Sequence, residues 1–155
     1  MKLIAHRGNT HGPDEGKENN PDYIDKCLSE GYDAEIDVRY DSITTVFWLG
    51  HDEPQYKVSW KWMANRAELL WIHCKDITTL HEFTKYEHAG YQYFWHDQDD
   101  FTLTSKNIIW TFPGKPYTPK SILVMPEHNT KIKNLNDLRA VNCLGICSDY
   151  VAHLK

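Results

Sequence analysis

The sequence predicts an α/β fold built on parallel strands, and three observations carry that expectation. Short β-branched and aromatic runs recur along the chain, and helix-like stretches with start and stop signals lie between several of them. The chain's 155 residues suffice for one domain but not for a complete eightfold barrel, which takes about 250. The expected architecture is a single domain over residues 1–155: a reduced or incomplete TIM-type (β/α) barrel with short or missing helices.

The first run, "KLIAHR", ends on two polar side chains followed by Gly8. Successive strand side chains point to opposite faces, so His6 and Arg7 would diverge. A glycine at the strand end lets the backbone turn and gathers both at a mouth where strand ends meet. Asn20 with Pro21 then opens a helix that Gly31 stops, its apolar stripe being Tyr23, Ile24, Cys27 and Leu28. The runs "DAEIDVR" and "TTVFWL" read as strands, and Ser59 caps a helix carrying Trp60, Met63, Ala64 and Ala67. After the strand "LLWIHCK", Asp76 or Thr78 opens a helix expected to run to Gly90. The strands "GYQYFW", "NIIWTF", "SILVM" and "NCLGICS" complete the series. Between two of them, "PGKPYTPK" at residues 113–120 is proline-rich and shorter than the dozen or so residues of a helical crossover, so a helix is missing there. The tryptophans fall mostly within strand or helix patterns and read as core.

Composition excludes several function classes. The formal net charge of -5 leaves no basic surplus for a nucleic-acid backbone. No segment approaches the roughly 20 apolar residues of a membrane span, and "MKLIA" is too short for a signal peptide. The four cysteines form no CxxC pair, and Cys143 and Cys147 on one strand would stand about 13 Å apart, beyond bridging distance. A cytoplasmic protein with reduced thiols is expected.

Polar groups recur at the ends of apolar runs. In "AEIDVR", Glu35 and Asp37 are two apart and share one strand face, where their repulsion calls for a cation or hydrogen-bond donors; a divalent metal bound through oxygen is one solution. In "LWIHCKD", His73 and Lys75 repeat the device, and a buried Lys75 requires an anion, either a carboxylate or a phosphate. "LGHDE" places His51 behind a glycine. His96 in "FWHDQDD" and Glu127 in "VMPEH" end two further runs, where a barrel presents its functional side chains.

Taken in order, "AHRG", "KEN", "EID", "GHD", "HCK" and "CSDY" resemble the signature of the glycerophosphodiester phosphodiesterase family. That signature runs His-Arg-Gly, Glu-Asn, Glu-x-Asp, Gly-His-Asp, a strand with Glu-x-Lys, and Thr-Asp-Tyr. The resemblance is dense over residues 4–52 and sparse but in order through Tyr150.

It implies an α/β barrel that hydrolyses a small glycerophosphodiester-like substrate with a divalent metal. His6 and His51 become the general acid and base, and Arg7 and Lys75 the phosphate clamps. Glu35 and Asp37 become metal ligands, with Glu18 matching a further acid at the metal site. In the family, the counterpart of "TTVFWL" pairs beside the second strand and is no barrel stave. Two positions depart from the pattern: Lys17 replaces a proline, and His73 stands where the family has its third metal-binding glutamate. With His73 as the third ligand, Mg2+ or Ca2+ is the expected metal, and the nitrogen donor opens the site to Mn2+ or Zn2+. Two other functions fit the same residues. One is a non-catalytic module that binds a phosphorylated ligand; the other is a lyase that releases a cyclic phosphate.

Overall fold

The structure is a computed structural model, and it describes residues 1–86, 90–129 and 134–155. Among these residues ten strands form one curled sheet. They are β1 Lys2–His6, β2 Asp33–Asp41, β3 Val46–Leu49, β4 Tyr56–Val58, β5 Leu70–Cys74, β6 Gln92–Phe94, β7 Phe101–Leu103, β8 Ile109–Thr111, β9 Ser121–Val124 and β10 Gly145–Ser148. Seven of them are parallel, in the spatial order β6-β5-β2-β1-β10-β9-β8. These correspond to the seven runs expected as staves. "TTVFWL" supplies β3, which pairs antiparallel with the second half of β2 and with β4.

Among the described residues there are three α-helices, all short: α1 Pro21–Ser29, α2 Trp60–Ala64 and α3 Ile77–Thr84. Each begins where a side chain relieves an orphan backbone donor. Asn20 accepts from the amide of Asp22, Ser59 from Trp62 and Asp76 from Thr79. α3 stops at Thr84, before the Gly90 expected from sequence, and residues 87–89 lie outside the described residues. No helix among the described residues is long and apolar enough to cross a membrane.

Where helices are missing, loops and a hairpin do their work. β8 and β9 are parallel neighbours joined only by residues 112–120. Strands of three and four residues are about 10–13 Å long, a return that a nine-residue extended loop spans without a helix. Between β6 and β8 the hairpin of β7 and β8 fills the gap. The Ser105 amide donates to the Tyr93 carbonyl at 2.8 Å, and Thr102 Oγ1 donates to the Trp95 carbonyl at 2.9 Å. No ladder joins β6 to β7 or β8 among the described residues, so the sheet curls without closing.

Strand parity decides what faces inward. Ile4, Trp71, Phe94, Trp110, Ile122 and Cys147, from six parallel strands, form an apolar plug inside the curl. Phe94 and Trp110 meet across the unladdered gap, with ring centroids 4.5 Å apart. The opposite faces of β2 and β5 carry Ala34, Ile36, Val38, Leu70, Ile72 and Cys74, which pack with Ile24, Met63 and Phe83 of the three helices. All four cysteines are free thiols, and burial pushes the Cys27 thiol up to about 12.

Candidate active site

The inward residues one strand-pleat above the apolar plug are polar. Register pairs His6 with Glu35, Asp37 with His73, and His73 with Phe94, so these side chains share the interior face at the C-terminal strand ends. The backbone at the end of β1 turns through two consecutive left-handed residues, Arg7 at φ 52° and Gly8 at φ 90°. That turn brings Arg7 round beside His6, as the sequence reading required. A non-glycine residue held at positive φ is strained, and here the strain is held by bonds on both sides. The Arg7 amide donates to the Glu35 carbonyl and its own carbonyl accepts from the Asn19 amide, each at 3.0 Å.

Asp37 is the centre of charge. It is wholly buried, with His73 Nδ1 at 3.2 Å and Lys75 Nζ at 3.4 Å from Oδ1, and Arg7 Nε at 3.0 Å from Oδ2. Asn19 holds it from behind. Its Nδ2 donates to Oδ2 at 3.0 Å, and its Oδ1 accepts the Asp37 amide at 2.9 Å. Burial alone would raise the Asp37 carboxyl, but His73, Arg7 and Lys75 outweigh it and hold the group well below the usual carboxylate range. Glu35 goes the other way, raised by burial and by the adjacent Asp37 charge.

Glu35, Asp37 and His73 each offer a ligand atom within 4.8 Å of one another. Asp37 Oδ1 is buried without an aligned hydrogen bond despite the nearby His73 ring and Lys75 ammonium. Two carboxylates, one of them with an unsatisfied buried oxygen, and an imidazole nitrogen make a donor set that fits a divalent cation. Glu18 is outside this trio, accepting instead from Arg7 Nη1 and Asn9 Nδ2, each at 2.9 Å.

His6 is braced. Its Nδ1 lies 2.8 Å from Asp149 Oδ1, an oxygen that also accepts from buried Asn9 at 2.8 Å. Burial disfavours the charged ring, but the Asp149 bond and the Glu35 charge prevail, and the His6 pKa is raised. Glu127 stands one step behind, with Oε1 accepting from Ser148 Oγ and the Asp149 amide.

His51 sits at the mouth, its side chain 42% exposed and its Nδ1 2.8 Å from Asp52 Oδ1. It shares a cleft of about 450 Å³ with Arg7, Glu18 and Asn19. Partial burial, with Arg7 and Lys75 near, lowers its pKa. Arg39 secures this loop by donating to the carbonyls of His51 and Asp52. His96 approaches the cluster through its backbone, its carbonyl 2.9 Å from His73 Nε2, while its own ring bonds the Asp99 carbonyl.

His6, Arg7, Glu35, Asp37, His73, Lys75 and Glu18 thus form one cluster at the C-terminal strand ends, and His51 shares a cleft with its Arg7 and Glu18. His96 and Glu127 support the cluster from behind. Sequence reasoning assigned no role to Asp149, Asn9, Asn19 or Arg39. Asp149 and Asn19 lie inside the quoted "CSDY" and "KEN" stretches, and that was their only signal. Asn9 and Arg39 are ordinary polar residues until the fold shows what they touch.

No protein-family model matches the chain, and no curated protein matches it in sequence. A crystal structure of a glycerophosphoryl diester phosphodiesterase from Parabacteroides distasonis is similar at a TM-score of 0.48 and 14% identity, over 99% of this chain and 84% of that one.

Proposed function

We propose that the chain hydrolyses a small glycerophosphodiester-like diester at this mouth, His6 and His51 carrying protons and Arg7 and Lys75 clamping the phosphate. The observation that carries the reading is the brace on His6. Binding a phosphate needs Arg7 and Lys75, whereas a part-buried imidazole bonded at 2.8 Å to a buried carboxylate is what proton transfer needs.

With Nδ1 tied to Asp149, His6 has Nε2 as its transferring atom. The two histidines are displaced in opposite directions, His6 upward and His51 downward. That split leaves a protonated ring to supply the leaving alkoxide and a neutral ring to take the attacking oxygen's proton. Arg7 bonds Glu18 through Nη1 and turns Nε toward the Asp37 charge, so its Nη2 is the end offered to a non-bridging oxygen, with the Lys75 ammonium beside it. Glu35, Asp37 and His73 would hold a divalent cation, Mg2+ or Ca2+ by the family pattern and Mn2+ or Zn2+ by the nitrogen donor. When bound, it neutralises charge building on the phosphoryl oxygens. The ordered motifs that resemble the phosphodiesterase signature support the same reading.

Phosphorus NMR of glycerophosphodiesters incubated with the protein and each of these cations tests it. The expected product is a phosphomonoester formed without an accumulating cyclic intermediate. A cyclic phosphate as end product would make the protein a lyase, and saturable binding without turnover under every cation would make it a binding module.

A further inference from the structure

His73 is held more tightly than a histidine that merely fills space. Its Nε2 lies 2.9 Å from the His96 carbonyl, and a carbonyl only accepts, so Nε2 carries the hydrogen. The ring stacks on Phe94, centroids 5.2 Å apart and planes 7° from parallel. One contact puts a hydrogen on Nε2 and the other fixes the ring plane. Nδ1 is left facing the two carboxylates, 3.2 Å from Asp37 Oδ1 and 3.7 Å from Glu35 Oε1.

In this pose Nδ1 faces two acidic oxygens, and one cation between the three atoms would be coordinated by all of them. Two donors on one metal with bonds of about 2.1 Å stand about 3.0–3.5 Å apart at right to tetrahedral angles. Both observed separations lie within a few tenths of an ångström of that range. An acceptor holding the far nitrogen of a ligating histidine is the usual way proteins orient such a ligand. The hard cations Mg2+ and Ca2+ favour all-oxygen cages, and imidazole suits transition metals.

Building on the metal reading above, we infer that His73 Nδ1 is a metal ligand oriented by the His96 carbonyl and Phe94, and that it biases the site toward Mn2+ or Zn2+ over Mg2+ or Ca2+. The preference lives in this chain's own substitution of an imidazole among carboxylates.

The test uses the full chain stripped of metal. Titration calorimetry gives affinities for the four cations, and pulsed EPR of the Mn2+ form reads nitrogen coupling. The inference predicts a 14N coupling in the wild type that His73→Gln abolishes. It also predicts a Mn2+-over-Mg2+ affinity ratio that falls at least tenfold in His73→Glu. Binding of Mn2+ without nitrogen coupling, or an unchanged ratio in the glutamate variant, overturns the inference while leaving a metal site in place. Failure of every cation to bind overturns the metal reading itself, and this inference with it. If neither variant folds, the wild-type coupling decides alone, because His73 Nδ1 is the ring nitrogen of the cluster.

Discussion

His6 and Asp149 are separated by almost the whole chain, yet their side chains meet at 2.8 Å. Asp149→Asn should cut phosphodiester turnover by about 10²-fold, the low end of what a positioned acid or base contributes, and should shift the pH profile as well as its height. Stability carries the same signature. The His6 pKa is raised above its ordinary 6.5, so its contribution is complete below that value and fades as pH rises through the raised one. The Asp149 pKa is depressed below its ordinary 3.8, so its contribution is complete above that value and is lost as pH falls through the depressed one. The pair therefore stabilises most between these limits. Urea midpoints of the wild type should fall from pH 6.5 to 8.5 more steeply than those of Asp149→Asn, and parallel profiles would refute the pairing. Asn19→Ala removes both hydrogen bonds that hold Asp37. Leaving a buried carboxylate half-satisfied should cost about 1–3 kcal/mol in urea unfolding.

The elements differ in how plainly the sequence announced them. The seven staves are legible because each carries β-branched or aromatic residues, and most run into a polar end. β4 and β7 are not, because they lack the flanking apolar run that marks the equally short β6 and β8. The hairpin that bridges β6 and β8 owes its place to Ser105 and Thr102, whose bonds to the β6 segment exist only after the sheet curls. At the other end of the order, β10 is squeezed between β1 and β9. A Cβ on Gly145 would lie 2.8 Å from the Lys2 carbonyl oxygen and 2.9 Å from Ile122 Cδ1. Gly145→Ala should lower stability by about 1–3 kcal/mol through overpacking, measured by thermal unfolding. Gly50 governs the His51 loop differently: its φ is 151°, and an added Cβ would overlap the Glu53 carbonyl oxygen. Gly50→Ala should reduce turnover while leaving the far-UV circular dichroism unchanged.

Across the whole molecule, the curl converts strand parity into a site. Every second residue of β1, β2, β5 and β10 faces inward, so Ile4, Trp71 and Cys147 form the plug and His6, Glu35, Asp37 and His73 the mouth above it. That alternation is visible in the sequence, which is why the site residues could be named before the fold. The brace from Asp149, the Asn19 clamp on Asp37 and the His96 carbonyl behind His73 are tertiary contacts between distant segments, and no local pattern encodes them. Because the cluster joins β2 to β5, a cation bound there should stabilise the whole fold. At a concentration 100-fold above its dissociation constant the gain is about 2.7 kcal/mol, readable as a higher unfolding temperature that EDTA removes. If His6 and His51 act together on a phosphodiester, the turnover of one glycerophosphodiester by wild type, His6→Ala, His51→Ala and the double variant reveals it. Each single variant should lose on the order of 10²-fold or more, with the double far less than multiplicatively worse because the two act as a unit; wild-type turnover in either folded single variant would contradict the account.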